Sequence, residues 1–158
     1  MHLPVRIAHL ADHRDAVPQL ARWFHDEWAD LNPGCDLAEV ERRIAERARK
    51  GAIPLALLAF SGDELIGTVC LKINDLDTRP DLTPWLAGLY VKAERRGQGV
   101  GRILVDAIEH EARALGVAEL HLYTPKSETF YQGLGWHTQE HLVYHGHPVA
   151  LMRKTLAA

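Results

Sequence analysis

The chain has few of the features that mark secreted or membrane-spanning proteins. Only Cys35 and Cys70 are cysteines, and they stand in unrelated contexts, so we expect free thiols rather than a disulfide framework. No apolar run approaches the length that crosses a bilayer. Asp12, Arg14 and Asp15 interrupt any stretch that could act as a signal peptide. We therefore expect a soluble, cytoplasmic protein without a membrane partner.

A basic surface is missing as well. Lys and Arg number 18 against 21 Asp and Glu, and no basic run occurs, so no nucleic-acid partner is expected. The tryptophans do not indicate a base-stacking platform, because Trp28 falls on the core face of a helix. The 158 residues are enough for one domain, residues 1–158, that buries its own core without disulfides or metal.

The hydrophobic pattern predicts an α/β domain. Apolar runs predict strands over residues 5–8, 54–60, 65–73, 85–91, 118–123, 136–144 and 149–156. Helical spacing predicts helices over residues 17–31, 37–48, 100–115 and 127–134. A turn is expected at residues 145–148. The order is β-α-α-β-β-β-α-β-α-β-β, which indicates a single mixed, mostly antiparallel twisted sheet flanked by helices.

The most informative segment joins a strand to a helix through alternating glycines, Arg96-Gly97-Gln98-Gly99-Val100-Gly101-Arg102. Glycine lets successive N–H groups turn toward one point, and the first amides of a helix lack partners within the helix. These donors and the positive end of the helix dipole suit an anion with several oxygens, such as a pyrophosphate. Arg95, Arg96 and Arg102 are placed to add charge at the rim.

Other phosphate-binding loops fit this segment less well. A P-loop ends in Gly-Lys-Ser/Thr, whereas Gly101 is followed by Arg102 and Ile103. The dinucleotide pattern G-x-G-x-x-G requires glycine at position 102. The alternative is a tight strand-to-helix turn with no ligand.

The segment resembles motif A of the Gcn5-related N-acetyltransferase (GNAT) superfamily, whose pattern is Gln/Arg-x-x-Gly-x-Gly/Ala. Arg96, Gly99 and Gly101 fill its three fixed places. A second stretch is similar to motif B of the same superfamily, and it contains Thr124, Phe130, Tyr131, Gly135 and Trp136. With the element order, the resemblance covers nearly the whole chain and implies the acyl-CoA N-acyltransferase fold.

The resemblance implies an N-acetyltransferase that moves an acetyl group from acetyl-CoA to a primary amine of a small molecule or peptide. It implies direct attack in a ternary complex, without a metal. Members of the superfamily often form homodimers, so a homodimer is one expectation. A non-catalytic acyl-CoA-binding sensor and a purely structural partner domain are the alternatives.

The resemblance also implies residue roles. Arg96 and the backbone amides that follow it would hold the pyrophosphate. These amides belong to Gly97, Gln98, Gly99, Val100, Gly101 and Arg102. Backbone edges of Leu89 and Val91 would pair with pantetheine, and the Val91 N–H would stabilise the oxyanion. Tyr131 would be the general acid; its alternative is a core aromatic beside Phe130.

Two positions depart from the superfamily pattern. The asparagine that many members place after the strand ending near Tyr123 is absent, so Ser127 either contacts pantetheine or caps the short helix. The strand before motif A carries no glutamate base. Asp81, His121 or a relayed water would serve instead, although the sequence favours a core or edge histidine for His121.

Two charged groups complete the sequence-based picture. Asp75, Asp77 and Asp81, with Glu27, form either an anionic vestibule for a cationic amine or an ordinary solvated loop. His137 and His141 share a strand face but lie about 13 Å apart at roughly 3.3 Å per residue, so they cannot share one ion. No metal is expected, and the histidine-rich hairpin indicates an exposed turn or a lining for the acceptor pocket.

Overall fold

The computed structural model describes residues 4–29 and 34–156. Its seven strands are β1 (Val5–His9), β2 (Leu55–Ser61), β3 (Glu64–Lys72), β4 (Trp85–Val91), β5 (Glu119–Thr124), β6 (His137–Tyr144) and β7 (His147–Thr155). The helices are α1 (Val17–Trp28), α2 (Leu37–Ala45), α3 (Val100–Ala114) and α4 (Glu128–Gln132). The chain order of helices and strands is the one predicted.

The strands form one sheet in the order β1-β2-β3-β4-β5-β7-β6. Every neighbouring pair is antiparallel except β4 and β5, which run parallel. The mixed, mostly antiparallel sheet predicted from the sequence is therefore confirmed. Short 3-10 turns at Leu10–Asp12, Arg14–Ala16 and Ala93–Arg95 are additions that hydrophobic periodicity does not reveal.

Most predicted boundaries differ from the structure by one or two residues, and the second helix and the C-terminal turn differ more. The predicted end of the first helix, at Leu31, lies outside the described residues. The second helix ends at Ala45 rather than Ala48, because the chain tightens into i→i−3 hydrogen bonds from Arg47 to Ile44 and from Ala48 to Ala45. The C-terminal turn is only two residues long.

That turn consists of His145 and Gly146, with φ of +48° and +79°. Positive φ at both central residues is the geometry that matches the twist of a tight hairpin. His147 and Pro148 therefore belong to β7 instead of the predicted turn.

Helices cover both faces of the sheet. Leu104, Ile108 and Ala112 of α3 pack on one face, and Leu20 and Ile44 of α1 and α2 pack on the other. The α3 packing depends on Gly67 of β3. A Cβ there would lie 2.9 Å from both Leu104 Cδ1 and the Tyr90 carbonyl oxygen, so a side chain would push α3 off the sheet.

The strands β4 and β5 diverge and leave a gap between their carboxyl ends. They pair only at Trp85 and His121. Along β4 the register against β3 also changes, from Ala87 opposite Cys70 to Tyr90 opposite Thr68, which leaves one extra residue in β4. The gap and the extra residue together position the candidate site.

Two smaller expectations are addressed directly. Cys35 and Cys70 are both free thiols, as predicted, and Cys70 is buried in the core. Within residues 4–29 and 34–156, none of the helices combines the length and the apolar character needed to cross a bilayer.

Candidate active site

The loop before α3 uses its glycines in two different ways. Gly97 and Gly99 have φ of +77° and +85°, a left-handed conformation that other residues rarely adopt. Gly101 lies inside the helix, where an added Cβ would lie 3.4 Å from Phe130 Cζ. The first two glycines therefore set the backbone path, and the third keeps space between α3 and α4.

The backbone amides of this loop point away from protein acceptors. Within the described residues, no N–H from Gly97 to Arg102 donates to a protein atom, and the first bond into the helix runs from Ile103 N–H to the Gly99 carbonyl at 3.1 Å. No side chain caps Gly99. Free donors at the positive end of a helix dipole fit a multiply charged oxyanion.

The arginines around the loop have separate roles. Arg96 Nε donates to the Val91 carbonyl oxygen at 2.8 Å, and its guanidinium lies 5.4 Å from the centre of the Tyr90 ring. It therefore ties the loop to β4. Arg102 is exposed on the first turn of α3.

Arg95 is occupied by an ion pair rather than free at the rim, contrary to the sequence-based expectation. Its NH2 group lies 2.6 Å from Glu64 Oε1, and Lys92 Nζ lies 2.8 Å from Glu64 Oε2. Hydrogen bonds from Lys92 and then Arg95 hold the pKa of Glu64 below its ordinary value. This pair anchors the segment that leads into the loop.

The Val91 N–H faces the gap between β4 and β5. The next residue, Lys92, donates its N–H to the Ile66 carbonyl of β3 at 2.8 Å. Successive residues of a strand direct their N–H groups to opposite sides, so the Val91 N–H and C=O point away from β3. The C=O accepts from Arg96, while the N–H is directed into the gap.

A cavity of about 340 Å³ opens beside this gap. Leu89, Ser127 and Tyr131, three residues predicted from the sequence, line it together. The opposite wall comes from α1, α2 and the turn after α2, and includes Phe24, His25, Trp28, Val40, Arg43 and Arg47. A volume of this size suits a small molecule.

Tyr131 is both a core aromatic and a cavity residue. It is 6% exposed, and its ring packs edge-on against Phe130 and Trp136 at centroid distances of 5.1 and 6.0 Å. Burial raises the pKa of its phenol, so the hydroxyl keeps its proton far above neutral pH. The ring is held by packing against Phe130 and Trp136, and Tyr131 also lines the cavity.

The turn into α4 is closed by Thr124, which the sequence analysis assigned only to the motif. Thr124 Oγ1 accepts the Ser127 N–H at 2.9 Å and the Lys126 N–H at 3.4 Å. Ser127 stands at the N-cap of α4, but its side chain makes no capping hydrogen bond. The capping alternative for Ser127 is therefore wrong.

Neither residue suggested as general base lines the cavity. His121 is 5% exposed and packs against Trp85 at a centroid distance of 5.7 Å, and burial lowers its pKa. Asp81 is exposed and bonded to Arg79 at 3.0 Å, a hydrogen bond that lowers its pKa. The imidazoles that do line the cavity are His25 and His147.

The anionic vestibule is present only in part, because Asp77 and Asp81 do not line the cavity wall. Its only acidic residues among those described are Glu27 and Asp75, and Asp75 pairs with Lys72 at 2.9 Å. Four basic residues line the same cavity, namely Arg43, Arg47, Lys72 and Lys126. Asp75 and Asp81 of the acidic loop are thus paired with Lys72 and Arg79, and basic residues outnumber acidic ones at the cavity wall.

The histidines of the C-terminal hairpin do not converge. His141 Nε2 lies 2.9 Å from Glu128 Oε2 at the surface. Across the part of the chain that the structure describes, no three His, Cys, Asp or Glu side chains are grouped as metal ligands.

Comparisons with known proteins agree with this geometry. The model of the Acetyltransferase (GNAT) family matches residues 17–136. No curated protein sequence matches the chain. Among solved structures, an aminoglycoside 6'-N-acetyltransferase complexed with coenzyme A is 19% identical, with a TM-score of 0.75 over 97% of this chain and 98% of that one.

Two further structures are similar over nearly their full length. PaiA N-acetyltransferase from Thermoplasma acidophilum in complex with coenzyme A is 20% identical, with a TM-score of 0.70 over 97% of this chain and 99% of that one. Ribosomal-protein-alanine N-acetyltransferase from Brucella melitensis is 20% identical, with a TM-score of 0.71 over the same shares. At these identities the likeness establishes the fold.

Proposed function

Because the chain belongs to the Acetyltransferase (GNAT) family, we propose that it is an N-acetyltransferase that uses acetyl-CoA and a primary amine of a small molecule or peptide. The observation that carries the proposal is the set of unpartnered N–H groups from Gly97 to Arg102. They lie at the start of α3, next to the end of β4, where the gap opens.

The residues present fit coenzyme A. The free amides and Arg102 supply donors and charge for its pyrophosphate. The edges of Leu89 and Val91 that face the gap would pair with the pantetheine arm as a neighbouring strand does, with Ser127 beside it. Acetyl-CoA, when bound, supplies the acetyl thioester that the amine attacks.

Two groups of this chain are assigned to the chemistry. The Val91 N–H is directed into the gap, where it would donate to the thioester oxygen as negative charge develops. Tyr131, held protonated by burial, would donate its proton to the departing sulfur. Since His121 and Asp81 lie outside the cavity, a proton from the amine would reach either of them only through relayed water.

Calorimetry with coenzyme A and a thiol-release assay with acetyl-CoA test the proposal. We expect binding, and turnover with at least one amine of a broad panel. Binding without any turnover would favour an acyl-CoA sensor. If neither coenzyme A nor acetyl-CoA gives a binding signal in calorimetry, both the acetyltransferase and the sensor hypotheses are excluded, and a structural domain remains.

Replacing Tyr131 with Phe tests its role as the acid. The change removes one hydroxyl and leaves the ring packing in place. We expect kcat to fall by about a hundredfold, the lower range for loss of a general acid, with an unchanged Kd for coenzyme A. Tyr144→Phe is the matched control, because Tyr144 is also buried but lies outside the cavity. Equal kcat in the two variants would remove Tyr131 as the acid.

A further inference from the structure

Arg47 is a buried cation without a counter-ion. It is 9% exposed, although arginine is almost never this buried unless paired. Within the described residues, its guanidinium makes no ion pair with a carboxylate and no side-chain hydrogen bond. Its one directed contact is the Phe24 ring, whose centre lies 5.7 Å from the guanidinium carbon.

The guanidinium belongs to the cavity of the candidate active site. Arg47 and Phe24 both line it, together with Tyr131 and Leu89. The backbone of Arg47 is held in place, because its carbonyl accepts the Ala56 N–H of β2 at 3.1 Å. The backbone from which the Arg47 side chain extends is therefore fixed by the fold.

The other basic residues of the cavity differ from Arg47. Arg43 is bonded to Glu39 at 3.1 Å, and Lys72 is bonded to Asp75 at 2.9 Å. Lys126 is exposed, so water solvates its charge. Arg47 alone among these four is both buried and without an acidic partner in the described chain.

The guanidinium of Arg47 has no acidic partner in the described chain and its nitrogens are reached by solvent through the cavity, so it is available to an anionic ligand. A guanidinium presents a planar fork of donors that matches a carboxylate or phosphate in a bidentate geometry. We propose that the amine acceptor of this enzyme also carries an anionic group, and that Arg47 binds that group. This inference rests on the proposed function and names the substrate class of that site.

The size of the cavity restricts the acceptor further. About 340 Å³ accommodates a molecule of amino-acid size, and the acceptor's amine must reach the gap that Tyr131 borders. The class is a small primary amine with a carboxylate or phosphate a few bonds away. The amine is the acyl acceptor, and the anion stays in contact with Arg47 throughout.

Matched acceptor pairs test the proposal. The twenty L-amino acids are compared with their carboxamides, and O-phosphoethanolamine with ethanolamine, in the thiol-release assay. We expect at least one anionic member to exceed its neutral partner in kcat/KM by about tenfold or more, the value of one charge-assisted pair. The two arms distinguish a carboxylate from a phosphate. Equal rates within every pair would overturn the inference and leave the proposed function standing.

Variants assign the preference to Arg47. Arg47→Met should abolish it and leave the melting temperature about unchanged, because the guanidinium has no ion pair to lose and methionine keeps a long unbranched side chain. Arg47→Lys should retain part of the preference. The control is Arg42→Met on the preceding helix α2, since Arg42 is exposed and bonded to Glu39 and Glu46. A preference that survives in Arg47→Met, or a weaker Kd for coenzyme A in that variant, would overturn the assignment.

Binding measurements separate this inference from the proposed function. Calorimetry with the same acids needs no turnover. Acids that bind to the wild type and not to Arg47→Met would support the anion site even if no amine were acetylated. If no anionic member of the panel binds or reacts, the inference is wrong, whatever the result with coenzyme A.

Discussion

The two ends of α3 carry glycines in nearly the same conformation but treat their backbone groups differently. Gly99 at the start has φ of +85°, Gly116 after the end has φ of +80°, and an added Cβ would meet nothing within 4 Å at either place. At the closed end, Gly116 N–H donates to Arg113 and Val117 N–H donates to Ala112, both at 3.0 Å. At the open end, the amides from Gly97 to Arg102 donate to no acceptor in the described chain.

The comparison separates a glycine whose neighbouring amides are satisfied from one whose neighbouring amides are left free. The closed end satisfies its own hydrogen bonds, as helix C-termini commonly do. The open end leaves strong donors to solvent or a ligand, although an N-cap side chain is the usual way to satisfy one of them. Glycine conformation alone does not distinguish the two cases; the partners of the adjacent amides do.

The largest effect is expected from alanine at the two glycines. Gly99→Ala and Gly116→Ala should each lower the free energy of unfolding by about 1–2 kcal/mol, the cost of a left-handed residue with a Cβ. Only Gly99→Ala should also raise the Kd for coenzyme A, by about tenfold to a hundredfold, as one charge-assisted hydrogen bond is lost. Chemical denaturation and calorimetry measure both quantities. A similar Kd in the two variants would contradict the open-end assignment.

A smaller effect is expected from the arginines near each end. Arg102→Ala should raise the Kd for coenzyme A by about threefold to fivefold, which corresponds to the loss of an exposed charge contact. It should leave stability unchanged or slightly higher, because a cation is unfavourable at the start of a helix. Arg113→Ala should do the reverse, with an unchanged Kd and a stability loss of about 0.3–1 kcal/mol. Equal Kd changes would show that α3 acts through its overall charge.

The smallest effect is expected on the melting temperature at acidic pH, through Glu64. Lys92 and Arg95 lower the pKa of Glu64. The ionised Glu64 carboxylate therefore contributes fully to the free energy of unfolding above the ordinary pKa of 4.5, and this contribution is lost as pH falls through the lowered pKa. Between these limits the melting temperature of the wild type should fall more steeply than that of Glu64→Gln. Glu94→Gln is the control, because the Glu94 side chain makes no ion pair in the described chain. Parallel acid curves for the wild type and Glu64→Gln would show that the pair does not anchor the loop.

The open end was predictable because it is local. Gly97, Gly99 and Gly101 lie within five residues of one another, so backbone freedom and helix geometry act on the same short segment. Tyr131 was predictable from its place in the second motif, and the cavity around it agrees with that place. Strand and helix order followed from apolar spacing for the same reason.

Residues whose environment comes from distant segments were not predictable. His121 alternates with Leu120 and Leu122, which face α3, so its ring lies on the other face under Trp85. Arg47 becomes a buried cavity residue only because α1 and β2 meet around the turn after α2. Its sequence signal is weak, since arginines also occur on the exposed face of α2.

The extra residue in β4 determines which side of the strand each N–H group faces. Successive residues of a strand direct their N–H groups to alternate sides. Gly88, with φ of +61°, lies where this alternation shifts relative to β3. If β4 continued from Ala87 opposite Cys70 in unbroken register, Val91 would lie opposite Ile66, the residue that now accepts from Lys92. The amide of Val91 would then turn toward β3, and the gap would lose its donor. The direction of the Val91 N–H is thus set by the register shift between β3 and β4, which is a feature of the backbone pairing.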